Sequence, residues 1–287
     1  MTTARTIAIL THQYQGLDQD YFLARCKNLW WDREGRRVLV HQGLGPPPEA
    51  DLAFLHVDLT VVPADYRMLA ASYPRCVNRD VVDISKRCVS RWLVGREDGY
   101  DGPVIVKTDL NHGGQSERRL RLAQRERFAQ LHEAAERWLP RAWRSLGDYQ
   151  VFERKGQVPG WVWRRKDLVV ERFFFERSGD SYQLRQWFFL GDRGLVTKLL
   201  GPTPYVKWNP PHTQFTYDHY VPPALWQRRR ELGMDFGKID FLLQEDEPIV
   251  IDVNPTPHAG TRTVFERAQW WAGILAEGVD FVAGRSP

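Results

Sequence analysis

The side chains best equipped for chemistry lie near the C-terminus, in residues 237–257, GKIDFLLQEDEPIVIDVNPTP. Two short apolar runs, 239–243 and 248–253, flank the acidic turn Gln244-Glu245-Asp246-Glu247. A polar turn between β-branched and apolar runs predicts a β-hairpin. Asp240, Asp252 and Asn254 interrupt those runs with oxygen-bearing side chains. Asp252 and Asn254 are two apart on one strand, so they share a face. A hairpin that brings Asp240 alongside them makes a compact oxygen cluster suited to Mg²⁺, a hard cation that prefers carboxylates and substrate phosphates. The plainer alternative is a surface hairpin carrying ordinary polar residues.

The chain that must position this cluster has 287 residues, enough for one large or two to three modest domains. Hydrophobic residues make up 43% and charged residues 26%, the balance of a folded chain and not of a disordered one. Twelve Trp and 14 Phe supply large buried areas and aromatic walls for a planar ligand. No apolar run approaches the roughly 18 to 20 residues of a membrane span. The N-terminal MTTARTIAIL reads as a first strand and not as a signal peptide, because no small-residue cleavage region follows it. Cys26, Cys76 and Cys88 are odd in number and read as reduced thiols, which leads us to expect a cytoplasmic protein. No C-x-x-C or H-x-x-x-H spacing offers a zinc site.

The formal net charge is +4, with much of the positive excess in Arg118, Arg119, Arg121, Arg125 and Arg127 and in Arg228, Arg229 and Arg230. No RNP-like or helix-turn-helix context accompanies it, so no nucleic-acid partner is expected. Runs of this kind are usually solvated helix faces, although an anionic substrate or nucleotide phosphates would use the same charge.

Residues 1–80 alternate in the βαβ manner, with strands expected at 6–10, 37–41, 51–57 and 75–78 and helices at 18–32 and 64–72. That alternation argues for a small parallel α/β sheet. No G-x-G-x-x-G follows the first strand, so no dinucleotide site is indicated there. His12, Tyr14 and Asp58 fall on loops after strands, where they would form one wall of an acceptor site. A helix is expected at 84–93. Next comes PVIVKTDLNHGG, whose β-branched run ends in Lys107 ahead of Gly113-Gly114. A lysine at a strand end beside a glycine turn can hold phosphate by its charge and the loop's N–H groups, although the Walker spacing is absent.

A charged helix is expected over 117–139, ended by Leu139-Pro140, followed by irregular aromatic text to 167. A strand at 168–175 breaks its apolar character at Glu171 and Arg172. Residues 182–190 and 194–200 predict a hairpin turned at 191–193. The Pro-rich 201–223 reads as a long loop, of the kind used for lids or binding. Helices are expected at 223–232 and at 264–277, the latter carrying Trp270-Trp271.

Taken in order, Lys86 in DISK, Lys107 in VIVK with its glycine loop, Glu171 in VVERF, GKID and VIDVNPTP form a series. That series, ending in D-x₁₁-D-x-N, resembles the ATP-grasp superfamily, and the likeness spans most of the chain from about Asn78 onward. D-alanine–D-alanine ligases, glutathione synthetases and ribosomal-protein glutamate ligases have corresponding pieces in this order. The resemblance implies an α/β chain of the α+β ATP-grasp kind. An N-terminal α/β domain would occupy 1–82, and two α+β subdomains, 83–167 and 168–287, would clasp ATP. It places Lys86 and Lys107 on the phosphates and the backbone around Glu171, Phe173 and Phe174 at adenine. Glu176, or alternatively Asp180, would take the ribose. Asp240, Asp252 and Asn254 would hold two Mg²⁺ ions, and Lys238, where relatives commonly have Arg, would face the transferred phosphate. Arg262 could clamp an acceptor carboxylate bidentately, with a helix-capping surface Arg as the plainer reading. Arg185 and Lys198 could line the same cavity.

Departures from the family are a short interval from Lys86 to Lys107, a long one from Lys107 to Glu171, and Asp252 where Glu is common. The activity implied is an ATP-dependent carboxylate–amine (or carboxylate–thiol) ligase working through an acylphosphate. Its partners would be a small-molecule or peptide carboxylate and an amine acceptor, with no membrane and with oligomerisation left open. A small-molecule kinase of the same fold and a non-catalytic ATP-binding module are the alternatives. The acceptor itself is not written in these residues.

Overall fold

The structure is a computed structural model that describes residues 4–124, 149–207, 214–258 and 265–284. The chain folds into two compact units. The first comprises Met1–Asp58, Val62–Val82 and Phe175–Pro287, and the second Leu59–Val61 and Asp83–Phe174. The sequence expectation of three segments thus meets a structure in which the first and the last share one unit.

In the first unit, β1 (Thr6–Thr11), β2 (Arg37–Gln42), β3 (Leu52–His56) and β4 (Cys76–Val77) form a parallel sheet in the order β2-β1-β3-β4. The crossovers carry α1 (Phe22–Cys26), which continues into a π-helical turn at Lys27–Trp31, and α2 (Ala64–Ala71). Strands β1 and β3 are buried almost throughout, as the strands between two others in a parallel sheet must be.

The same unit holds a larger antiparallel sheet. It is built from β8 (Glu176–Ser178), β9 (Ser181–Leu190), β10 (Arg193–Gly201), β11 (Gln214–Asp218), β12 (Phe236–Gln244) and β13 (Glu247–Asn254). The path runs β11-β10-β9-β12-β13, with β8 paired to the start of β9. The segment expected as a long loop therefore contains a strand, since β11 extends the β9–β10 hairpin. Its backbone pairing covers an edge of β10 that would otherwise stay open.

After β11 come α5 (Pro223–Glu231) ahead of β12, and then α6 (Phe265–Ala276) and α7 (Val279–Gly284) at the C-terminus. The core joins both sheets to α6: Ile7, Phe22, Trp31 and Phe54 pack with Phe188, Leu190, Phe236, Trp271 and Leu275. Trp31 donates its indole N–H to the Ala276 carbonyl at 3.1 Å, so even the polar edge of that ring is paired.

The second unit carries a three-stranded antiparallel sheet, β6-β5-β7, from β5 (Val104–Thr108), β6 (Gln150–Phe152) and β7 (Leu168–Arg172). Its core is Val94, Val104, Val106, Val158, Val162, Leu168 and Val170. The helix expected at 84–93 is one turn, α3 (Lys86–Val89), because Ser90 returns to extended backbone. Of the charged helix expected at 117–139, α4 (Gln115–Gln124) is described and the remainder lies outside the described residues.

One buried asparagine ties the parallel sheet to β12. Asn78 is 2% exposed and sits at φ 62°, a left-handed conformation that Asn tolerates. Its Oδ1 accepts the Asp235 and Phe236 N–H groups at 2.9 and 3.0 Å, and its Nδ2 donates to the Phe236 carbonyl at 2.9 Å. Asn78→Ala leaves those buried backbone groups unpaired and forces a Cβ residue without a polar side chain into the left-handed region. The expected loss is about 3 kcal/mol of stability, read as an earlier urea midpoint; an unchanged midpoint refutes the clamp.

Candidate functional site

The hairpin predicted at 237–257 is β12–β13, closed by a two-residue turn at Glu245 (φ 50°) and Asp246 (φ 72°). Positive φ at both central residues matches the right-handed twist of the strands. In the register, Asp240 is opposite Asp252 and Lys238 is opposite Asn254. Opposed residues of an antiparallel pair share a face, as do residues two apart on one strand. Lys238, Asp240, Asp252 and Asn254 therefore form a two-by-two array on one face. A bulge follows at once: after Asp240–Asp252 the pairing moves to Phe241–Val250, with Ile251 as the extra residue. Gly237 permits the array's close end, since a Cβ there would stand 2.7 Å from the Asn254 carbonyl oxygen and 2.6 Å from the Met234 side chain.

Asp240 is 8% exposed. Lys238 Nζ lies 2.9 Å from its Oδ2, and Gln186 Nε2 donates to its Oδ1 at 3.1 Å. Burial pushes the Asp240 carboxyl above the usual carboxylate range, Lys238 pulls it down, and the facing Asp252 pushes it up again. Asp252 Oδ1 accepts the Val253 N–H at 3.0 Å, and Asn254 Oδ1 accepts the Thr256 N–H at 2.8 Å. Two like charges opposed in a sheet are destabilising unless a cation intervenes, and Lys238 supplies one at Asp240. Among the described residues no group of three or more His, Cys, Asp or Glu side chains could hold a metal. The donor set here is instead two carboxylates and an amide oxygen, all hard ligands, which fits Mg²⁺ with phosphate or water completing the shell. Gln186 was not legible as a site residue; only the β9–β12 register places it opposite Asp240.

The second unit holds the two lysines. Lys107, 2% exposed at the end of β5, pairs with Glu171 of β7 at 2.9 Å. Glu171 Oε1 is buried without a hydrogen-bond partner among the described residues. The glutamate expected to offer backbone at a hinge thus uses its side chain against the strand lysine. Lys86 is also 2% exposed, at the start of α3, with its N–H donating to the Asp109 carbonyl at 2.9 Å. The glycine loop is a short 3₁₀ turn, Asn111–Gly114, with positive φ at His112, Gly113 and Gly114, leading directly into α4. Thr60 fastens it: the Asn111 N–H donates to Thr60 Oγ1 at 2.9 Å, and the Thr60 N–H donates to Glu117 Oε1 at 2.7 Å. Phe173 donates its N–H to the Pro103 carbonyl, Phe174 packs edge-on against Trp92, and the chain passes to the first unit at Phe175.

Other expected residues lie elsewhere. Arg185 and Lys198 oppose each other on β9 and β10 and lie on the face opposite Asp240, because Gln186, next to Arg185, is the residue aligned with Asp240. They cannot line the hairpin's acidic face. Arg185 instead bonds Glu176 and Asp218, and Lys198 reaches Asp218 at 3.0 Å. Glu176 also accepts the Leu243 N–H at 2.9 Å, so its carboxylate is heavily engaged. Asp180 sits exposed at the β8–β9 turn. Arg262 lies outside the described residues.

Solved structures share this architecture. A structure of the ATP-grasp ligase PsnB with minimal precursor matches with a TM-score of 0.51 at 10% identity, covering 98% of this chain and 99% of that one. A second PsnB structure, with minimal precursor, Mg and ADP, gives 0.51 at 9% identity over 96% and 97%. A RimK domain protein ATP-grasp from Sphaerobacter thermophilus gives 0.49 at 16% identity over 97% and 100%. No protein-family model matches the chain, and no curated protein matches it. The chain has an ATP-grasp fold. Among the described residues no helix is long and apolar enough to cross a membrane.

The raised Asp240 carboxyl has a consequence for stability. The folded chain binds that proton more readily than the unfolded chain, so the metal-free protein loses stability as pH rises from the ordinary carboxylate value through the raised one. Asp252→Asn removes the facing charge and should shrink that loss, raising the melting temperature at pH 7 by a few degrees, the scale of about 1 kcal/mol. Calorimetry of chelator-treated protein from pH 4 to 8 tests this, and superimposed curves would show the carboxylates uncoupled.

Proposed function

We propose that this chain is an ATP- and Mg²⁺-dependent ligase. It transfers the γ-phosphate of ATP to a substrate carboxylate, and an amine or thiol then attacks the resulting acylphosphate, giving an amide or thioester, ADP and phosphate. The observation that carries this reading is the array of Lys238, Asp240, Asp252 and Asn254 on one face of β12–β13, within an ATP-grasp fold whose PsnB examples are ligases.

Asp240, Asp252 and Asn254 would hold the metal, two ions in the fullest form of the reading. Bound Mg²⁺ supplies charge neutralisation at the nucleotide's β- and γ-phosphates. Lys238, already held at the array by Asp240, is positioned to meet charge on the transferred phosphate. Lys has the charge for this without the guanidinium's bidentate fork. Lys86 and Lys107 are assigned to the nucleotide phosphates, the segment Glu171, Phe173 and Phe174 to adenine, and Glu176 or Asp180 to the ribose. Of these two, exposed Asp180 is less committed to other partners. Arg262 is assigned to the acceptor carboxylate. The acceptor is a small molecule or a peptide; the PsnB structures contain a minimal precursor.

A coupled ADP-release screen over amino acids, short peptides and small carboxylates should find Mg²⁺-dependent turnover. Asp252→Ala and Asn254→Ala should each abolish it with the fold intact by circular dichroism. Retained activity in both variants removes the metal assignment. Product analysis separates free phosphate plus an amide from a phosphorylated product, the outcome that would make the chain a kinase.

Lys107 can be tested apart from turnover. ATP with Mg²⁺ should raise the wild-type melting temperature, and Lys107→Ala should reduce that increment sharply relative to its own ligand-free value. An equal increment in both proteins would remove Lys107 from the nucleotide site.

A further inference from the structure

Thr256 has one hydroxyl proton and two oxygens compete for it. Its Oγ1 lies 2.8 Å from Asp58 Oδ1 and 3.1 Å from Asn254 Oδ1. The residue is 1% exposed, so water does not relieve the competition. The Thr256 N–H meanwhile donates to the same Asn254 oxygen at 2.8 Å. An amide oxygen has two lone pairs. One is committed to that N–H, and the other is open only while the hydroxyl turns to Asp58. A carboxylate is the stronger acceptor, and here it is also the nearer one.

Asp58 is itself held in place. Tyr21 donates its hydroxyl to Oδ2 at 2.9 Å, and Gln15 Nε2 donates to the Asp58 carbonyl at 3.1 Å. Tyr21 pairs across an isolated bridge with His258, and the Phe22 N–H donates to the Pro257 carbonyl at 3.0 Å, so the start of α1 is laced to the stretch just beyond Thr256. The loop after β3 thus reaches the end of β13 across 198 residues of sequence.

We propose that Asp58 is a positioning residue for the cation site. It draws the Thr256 hydroxyl proton to itself and thereby leaves one lone pair of Asn254 Oδ1 available to a divalent cation. The proposal rests on the reading of the β12–β13 array as a Mg²⁺ site and adds to it a residue from the N-terminal α/β sheet. Without Asp58 the hydroxyl swings to Asn254 and occupies the lone pair that the cation needs. Asp58 touches neither metal nor substrate in this role.

The test uses Mn²⁺ as probe, with free Mn²⁺ read by electron paramagnetic resonance in the presence of a non-hydrolysable ATP analogue. Asp58→Ala should weaken Mn²⁺ binding about threefold to tenfold, the range that one rearranged hydrogen bond commands. Adding Thr256→Val removes the competing hydroxyl, so the double variant should recover most of that loss. A merely structural role for Asp58 predicts a double variant no better than Asp58→Ala. Tyr21→Phe takes a donor from Asp58 but leaves the Thr256 proton where it is, and Mn²⁺ affinity should stay within about twofold of wild type. Should Asp58→Ala fail to fold, Asp58→Asn with and without Thr256→Val supplies the same comparison, with a smaller loss and the same recovery. In turnover, the Mg²⁺ concentration for half-maximal rate should rise in Asp58→Ala and fall back in the double variant. Wild-type protein that binds no Mn²⁺ with the analogue overturns the hairpin reading and this proposal together. Wild-type binding with Asp58→Ala unaffected, or with no recovery in the double variant, overturns this proposal alone.

Discussion

Two carboxylates held face to face are the constraint on which the rest of this structure depends. Asp240 and Asp252 oppose each other across β12–β13, one of them nearly buried. Such a pair is unfavourable by itself, because burial and mutual repulsion both act against ionisation. The fold accommodates it with a lysine on the same strand, a glutamine from the neighbouring strand β9, and a bulge that ends the array directly after the opposed carboxylates. Two carboxylates held this close form a site suited to a divalent cation. Proteins commonly accept such local cost where chemistry is done.

The surroundings supply the rigidity that this demands. Strand β12 lies between β9 and β13, and its first residues are gripped by Asn78 from the end of β4. Beneath, Phe236 belongs to the same apolar cluster as Phe54, Trp31 and Trp271. The parallel sheet is thus more than an appended domain. Its strand ends deliver Asn78 to one side of the hairpin and Asp58 to Thr256 at the other.

The second unit solves a similar problem by different means. Lys107 and Glu171 are both nearly inaccessible and neutralise each other across adjacent strands, at the desolvation cost that any buried pair carries. One glutamate oxygen stays unmatched among the described residues. The glycine loop beyond Lys107 is held by Thr60, a residue from the far end of this unit's sequence.

Much of the hairpin is legible directly, because alternation and turn polarity are local properties and Asp240, Asp252 and Asn254 stand within a few residues of the turn. The order of Lys86, Lys107, Glu171 and the D-x₁₁-D-x-N ending likewise needs only the chain, and it points to the fold that the structure has. Strand β11 is not legible because the prolines on either side of it signal loop, and only an open edge on β10 makes it a strand. That Arg185 and Lys198 lie on the face away from Asp240 is not legible either, because sequence does not say which face of β9 meets the hairpin. A one-residue difference in register moves a side chain to the other side of a sheet. For the same reason Gln186, Thr60 and Asp58 carry no signal of these roles: each acts through a partner distant in sequence. The sequence alone determined which chemical groups are present and in what order. The tertiary structure decided which of them face one another, because hydrogen-bond direction and strand register exist only between segments that folding has brought together.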